Sequence, residues 1–475
     1  DDAAAAELRA AVELDPKNPA ILEVAEKFFA EKKDGKGLDA LYTTRLKALD
    51  RSDVAGRLLL LERLAQLRRY DVRDLRAAID ACEAMSALDP EAIKPREDAA
   101  RMHVELGQWK EAVAAWRSVL DRDTLLVEAW RGLFAVFARS RQADEAFAVA
   151  ATMAALEIAD DDMVRAVRAV RPPFPRWPVV PVDAAGTRRK LSHPLERSPV
   201  RGVLELVAPR LLPRLGRALG DFGVRRKDAL TDKQLSPSVA MAVRTATTLA
   251  GLGGGARDGG PMLPLYGAEL SSDGATPPFA ALPAREPGLI VTHEVLRGGI
   301  TPERAFALGR AVAWLSPWAL LAASLDATEI RRLIEGLVAA YLSPRDVEKP
   351  SADTERYGAE LRAELQEGLS GPERDQLASA LAPALRDWIV GRGRITLSEW
   401  KAGVGYSGDR LGFLLCSDLP AAVKVVRTAG GSATAARLAI KELVLFSISP
   451  TYLQLRRELA LALQEQALAP ILDLG

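Results

Sequence analysis

The stretch "ELGQWKEAVAAW", residues 105–116, decides the fold of the first third of the chain. Gly107 stands between two paired helices, and the second of them carries Ala112 and Trp116. A step of 34 residues in either direction from Ala112 lands on Ala78 and Ala146. The same step links Met85, Val119 and Met153, and it links Cys82, Trp116 and Ala150. Self-similarity at such a period marks an array of helix–turn–helix units. The small residue at the fixed place lets two helices approach closely, and the large ones fill the gap between neighbouring units. Three units fall in register, over 59–92, 93–126 and 127–160. A looser one covers 19–58, with Leu22, Ala25 and Phe29 as its inward face. Residues 3–16 read as the second helix of a unit whose first half is missing, so the array is expected to be the end of a longer one.

This pattern resembles the tetratricopeptide repeat, which implies an α-solenoid whose units bury their apolar faces by stacking. The resemblance also implies a groove lined by first helices. By the family's geometry its lining includes Arg63, Tyr70, Lys94, Arg101 and Arg131. Cations in such a groove suit a protein or peptide partner with acidic side chains or a free C-terminal carboxylate. Glu97 and Glu128 fall on the same face and dilute the charge; an ordinary solvated face is the competing reading.

Composition sets bounds. The 475 residues suggest two to four domains. Lys+Arg and Asp+Glu both number 64, and this balance argues against a dedicated nucleic-acid binder. The two cysteines, Cys82 and Cys416, lie far apart in apolar helical contexts, which points to buried thiols and a reducing, cytoplasmic compartment. No apolar run is long enough for a membrane span, and no signal peptide is visible.

The array is expected to end near Val170. "RPPFPRWPVVP", residues 171–181, has too many prolines for a helix and too many apolar residues for a free linker, so it reads as a strap lying against a domain. "DAAGTRRKLSHPLERSP", 183–199, reads as a mobile loop in which His193 has no special role. Further on, Pro209 and Pro213 should bend or break a helix over 200–221. Glycine-rich 251–260 lacks the residues of a phosphate loop and reads as a connector. Short strands are expected at 262–270, 277–284 and 287–292, and helices from Thr301 onward, the last over 451–468. The expected fold class is mainly α: a tetratricopeptide-like α-solenoid over 1–170, a proline-rich strap and loop over 171–199, and a mostly helical α+β domain with a small sheet over 200–470.

Within that last domain comes strand "GLIVT", turn, helix "TPERAFALGRAVAWL", more helices, then "GYSGDRLGFLLCSDLPAA". The order resembles the core of gluzincin metallopeptidases of the HtpX and CAAX-prenyl-protease type. In that family such a helix bears His-Glu-x-x-His, two zinc ligands and a general base, and a later helix supplies a glutamate ligand before a segment like Asp409-Arg410-Leu411-Gly412. Carried over residue by residue, the ligand and base places hold Gly309, Arg310 and Ala313, and the third-ligand place holds Gly405. None of these can bind zinc. The resemblance therefore implies a degenerate domain with no catalytic residue, no metal and no cofactor, in which small Gly309 and Ala313 admit a neighbouring helix. A repeat array joined to such a domain also resembles a group of large, Ala/Arg-rich bacterial proteins.

Other reactive patterns are thin. His293-Glu294 is followed by Arg297 where a second zinc histidine would stand, and the three histidines are widely spread. Gly405-Tyr406-Ser407-Gly408-Asp409 misses the nucleophile elbow by its last residue. The expected function is a non-catalytic protein-interaction scaffold. The competing readings are a hydrolase with unrecognised residues and a structural subunit of a larger assembly.

Overall fold

The computed structural model describes residues 2–178, 182–252, 264–268, 277–343, 350–391 and 395–474. The chain divides into two compact units, one of Asp1–Val170 with Leu463–Gly475, the other of Arg171–Ala462. It is mainly α-helical with one small sheet. Among the described residues no single helix is long and apolar enough to cross a membrane.

The first unit opens with ten helices: α1 Asp2–Leu14, α2 Pro19–Glu31, α3 Gly35–Ala48, α4 Val54–Leu67, α5 Leu75–Leu88, α6 Lys94–Glu105, α7 Trp109–Arg122, α8 Val127–Arg139, α9 Ala143–Ala155 and α10 Asp161–Val170. Each packs on the next. Aspartates start four of them: Asp34, Asp53, Asp74 and Asp160 accept from the backbone N–H groups of Gly37, Gly56, Ala77 and Met163 at 2.8–3.0 Å. Gly107, with φ +68°, ends α6 in the left-handed region that L side chains avoid. Ala78, Ala112 and Ala146 are fully buried, as a position of closest helix approach requires. The contact between α7 and α8 is tighter still. A Cβ added to Gly132 would stand 2.3 Å from Trp116 Cε2, so the indole lies directly on the α8 backbone.

The second unit contains a three-stranded sheet in the order β1-β3-β2, where β1 is Leu265–Ala268, β2 Phe279–Leu282 and β3 Gly288–Thr292. β1 runs parallel to β3, and β2 antiparallel. Its helices are α11 Ala184–Leu191, α12 Pro199–Leu215, α13 Pro237–Leu249, α14 His293–Gly298, α15 Pro302–Ala313, α16 Pro317–Ser324, α17 Ala327–Tyr341, α18 Ala352–Gln366, α19 Gly371–Gly391, α20 Leu397–Cys416, α21 Leu419–Thr428, α22 Ala433–Ser447 and α23 Pro450–Glu458. One hydrophobic core joins α12, α16–α19 and α20, with Trp318 against Trp400 at a ring distance of 6.1 Å. Both cysteines are buried free thiols, and burial pushes the Cys82 thiol up to about 12.

Several expectations need correction. Helix α12 is not broken at Pro209 or Pro213, and it ends at Leu215 rather than at 221. Its burial against α16 and α19 holds it despite the two missing N–H donors. Residues 183–199 are not a mobile loop: they form α11 and a 3₁₀ turn, Pro194–Glu196, and bury Leu191, Ser192, His193 and Glu196. The strap belongs to the second unit, where Arg171 pairs with Asp418 at 3.1 Å. Arg176 donates to the carbonyls of Ala460 and Ala462, at the other end of that unit. The glycine-rich run from residue 253 on, and the expected strand residues 262, 263, 269 and 270, lie outside the described residues.

The last expected helix stops at Glu458, and Ala460 takes φ +53°. From Leu463 the chain is part of the first unit, so the second ends at Ala462 rather than near 470. There a 3₁₀ turn, Glu465–Leu468, and helix α24, Ala469–Leu472, pack against α8, α9 and α10.

Replacing Gly132 with Ala should cost the first unit about 1–3 kcal/mol, because the Trp116 ring must leave its place. Thermal or urea unfolding of the single variant checks this.

Candidate functional site

The helix singled out by the sequence, α15, begins with Thr301, whose hydroxyl accepts from the Arg304 backbone N–H at 3.3 Å, and with Pro302 at its first turn. It crosses α20 with almost nothing between the two backbones. A Cβ on Gly309 would stand 2.4 Å from both the Cα and the N of Gly412. A Cβ on Gly412 would stand 2.5 Å from the Phe306 carbonyl oxygen. One turn along, a Cβ on Gly408 would meet Arg310 Cα at 3.3 Å and Ala313 Cβ at 3.4 Å. Gly309, Arg310 and Ala313 are thus brought together against residues 408–412. Gly405 is not: a Cβ there meets nothing within 4 Å. Position 309 is a contact surface and holds no pocket for a larger side chain.

Arg310 turns its guanidinium to Asp409, with Nε 2.7 Å from Oδ1. Asp409 is almost wholly buried. Burial pushes its carboxyl up to about 6, and the Arg310 charge holds it from rising further. The pair fixes α15 on α20 from the flank of the glycine contact.

On the outer side of α15 lies a groove of about 640 Å³. One wall is the edge strand β2 with Pro277 and Pro278 before it; the other is Lys424, Val425 and Thr428 of α21. Arg304, Ala307, Arg310, Ala311 and Trp314 form its floor. Among the described residues β2 pairs with β3 on one side only. The charges in the groove are matched. Arg304 pairs with Glu294 at 2.6 Å, and Lys424 lies 3.5 Å from Glu303, whose carboxyl is held low first by its own backbone N–H.

The other side of α15 faces a cavity of only about 40 Å³. Ala313 lines it, with Arg188, Ser192, Glu196, Ser316 and Ser407 among others. It borders a buried polar knot that sequence reading missed. Ser407 Oγ accepts from the His193 backbone N–H at 2.8 Å and donates to Glu196. Glu196 also pairs with Arg201, and its carbonyl accepts from Trp400 Nε1 at 3.1 Å. His193 Nδ1 accepts from the Leu195 N–H at 3.2 Å, which leaves the proton on Nε2 to donate to Glu442 at 3.0 Å. That bond is the main cause holding the Glu442 carboxyl below its ordinary range. Ser, His and two acids therefore meet, but as a clasp. A nucleophile needs the imidazole ring on its hydroxyl, and here Ser407 meets the histidine's backbone. Nothing in the local sequence signals this, since the partners lie more than 200 residues apart.

In the first unit, the first helices are tied side by side by ions. Arg63 of α4 reaches Glu26 of α2 at 2.8 Å, and Arg69, just past α4, reaches Glu105 of α6 at 2.6 Å. Lys94 pairs with Asp98 at 3.0 Å and Arg101 with Glu97. Tyr70 sits in a π-helical turn, Arg68–Val72, exposed to 67%, under the Arg69 guanidinium. Arg131 is exposed on α8. The face is thus more evenly charged than the cations alone imply, because Glu26 and Asp98 join Glu97 on it. His103 is largely buried, with Nδ1 2.7 Å from Gln108 Oε1, and His293 is exposed at the start of α14. Among the described residues no three His, Cys, Asp or Glu side chains gather as a metal-binding group.

Comparison of the chain with protein-family models, with curated proteins and with solved structures finds no match.

Two outcomes are expected. Gly309→Ala should destabilise the second unit by about 1–3 kcal/mol or more, while Gly405→Ala, in open space on the same α20, should gain about 0.5–1 kcal/mol. Parallel denaturant melts of the two variants check the contrast. Asp409 supplies a pH signature. Between about pH 4 and 6 the folded chain holds this proton and the unfolded chain does not, so the group costs stability as pH rises through that window. Relative to Asp409→Asn, the wild type should lose up to about 3 kcal/mol from pH 4 to pH 7. Unfolding midpoints at both pH values measure it.

Proposed function

We propose that this chain is a non-catalytic protein-interaction scaffold. In this reading the first unit, resembling tetratricopeptide repeats, presents the face of α2, α4, α6 and α8 to a peptide or protein partner. Arg63, Tyr70, Lys94, Arg101 and Arg131 are its contact residues. The second unit, resembling a gluzincin core without its ligands, offers a second binding surface in the groove beside β2. There an extended segment can pair with the edge of the strand that has no partner among the described residues and place its side chains over Trp314 and Arg304.

One observation carries the non-catalytic part: Gly309 and Gly412 touch backbone to backbone, so the place of the first zinc histidine has no volume for one. Arg310, at the place of the general base, is engaged with Asp409. A cation there disfavours a metal ion as well.

The test joins metal analysis to partner capture. Purified protein should carry far less than one zinc per chain by mass spectrometry. A partner captured by the intact chain should be lost with Arg101→Glu and with Arg131→Glu. Stoichiometric zinc that disappears with His293→Ala contradicts the non-catalytic reading. Unchanged capture by both charge-reversed variants removes the repeat face as the binding surface.

A further inference from the structure

We infer that the end of the helical array, formed by α8, α9 and α10, is a binding site for a short helical turn, and that the chain's own C-terminal segment is its resident ligand. The inference goes beyond the scaffold reading and concerns a different surface from the first-helix face. It starts from connectivity: the chain leaves this unit at Val170 and comes back at Leu463, 293 residues later.

Among the described residues the returning segment is anchored at both ends. Leu468 and Ile471, three residues apart, are both 0% exposed. The Leu463 backbone N–H donates to Asp144 Oδ1 at 2.9 Å. Asp144 stands at the start of α9 and is itself buried. Glu465 meets Arg141 at 3.2 Å, with both side chains more than half exposed, so this pair steers more than it holds. Leu474 points to solvent. These are the parts of a peptide-recognition mode: an amphipathic turn reading as Glu465-x-x-Leu468-x-x-Ile471, two aliphatic anchors and one backbone bond.

The segment does not carry its own structure. A 3₁₀ turn followed by a four-residue helix is far too short to be stable alone in water. It is helical because it is docked. A stacked array, for its part, has an apolar face at its end that needs a cover. Met163 and Val167 of α10 are buried there. The occupant is therefore a ligand in the physical sense, ordered on binding and separable without unfolding what it binds. The site suits any chain presenting an acidic residue followed by two aliphatic residues at helical spacing.

Two measurements on the intact chain test this. A labelled synthetic peptide of residues 463–475 is titrated by fluorescence anisotropy into the intact chain and into the intact chain carrying Leu468→Asp and Ile471→Asp. The account expects at least tenfold tighter binding to the double variant, whose own segment no longer competes. Adding Asp144→Ala should weaken that binding again. Equal affinity for the two proteins overturns the inference, and so does loss of the double variant's helical circular dichroism, since the segment would then be part of the fold. Hydrogen exchange on the wild type gives the second reading. Amides of 468–472 should exchange markedly faster than those in the middle of α9, and equal rates overturn the inference. A concentration-dependent dimer abolished by Leu468→Asp would place the segment on a second copy and overturn its assignment to the same chain.

Discussion

The contact of two helix backbones at Gly309 and Gly412 is the constraint on which the second unit depends. Helices normally stand apart by the length of their side chains. Here three glycines, with Ala313, reduce that spacing until the next atom met is main chain. Everything around the crossing follows from it. The Arg310–Asp409 pair can form beside the contact because the helices are this close. Trp318 and Trp400 fill the region beyond it. A groove of about 640 Å³ opens on the outer face of α15, while the inner face keeps only about 40 Å³. A metallopeptidase built on the same order of elements needs the reverse, with open volume at the ligand positions of the helix.

How much of this was legible in the sequence varies with the range of the interactions. The helices of the first unit were, because small and large residues recur at fixed helical phases, and Ala78, Ala112 and Ala146 are all buried. The strands and the start of α15 were, because turn residues and the Thr301–Pro302 cap are local signals. The partner of Gly309 was not. A glycine in a helix announces that something comes close, but Gly412 lies about a hundred residues away and only the fold brings it there. The segment 183–199 was misread for the same reason. Its polarity suggests solvent, whereas Ser407, Glu442 and Arg201 satisfy those polar groups inside. The returning C-terminal segment was misread because its helical periodicity is real but its anchors face another unit.

The face of α2, α4, α6 and α8 teaches a similar lesson about charge. Listing the cations of one face suggests an acidic partner, yet Arg63, Lys94 and Arg101 each have a carboxylate at hand. A partner of the kind proposed would have to exchange ion pairs that already exist, which favours specificity over raw affinity. The groove beside β2 has the same character, with Arg304 and Lys424 matched to Glu294 and Glu303. In the proposed reading, backbone pairing along the strand edge and the apolar floor at Ala307, Ala311 and Trp314 are what such a segment would use.

The most direct test is to restore the missing motif in place. A chain carrying Gly309→His, Arg310→Glu and Ala313→His is assayed for folding by circular dichroism and for zinc by calorimetric titration. The account predicts loss of the second unit's cooperative unfolding transition and no stoichiometric zinc, because α20 occupies the volume the histidines need. A native-like fold that binds one zinc per chain would contradict it.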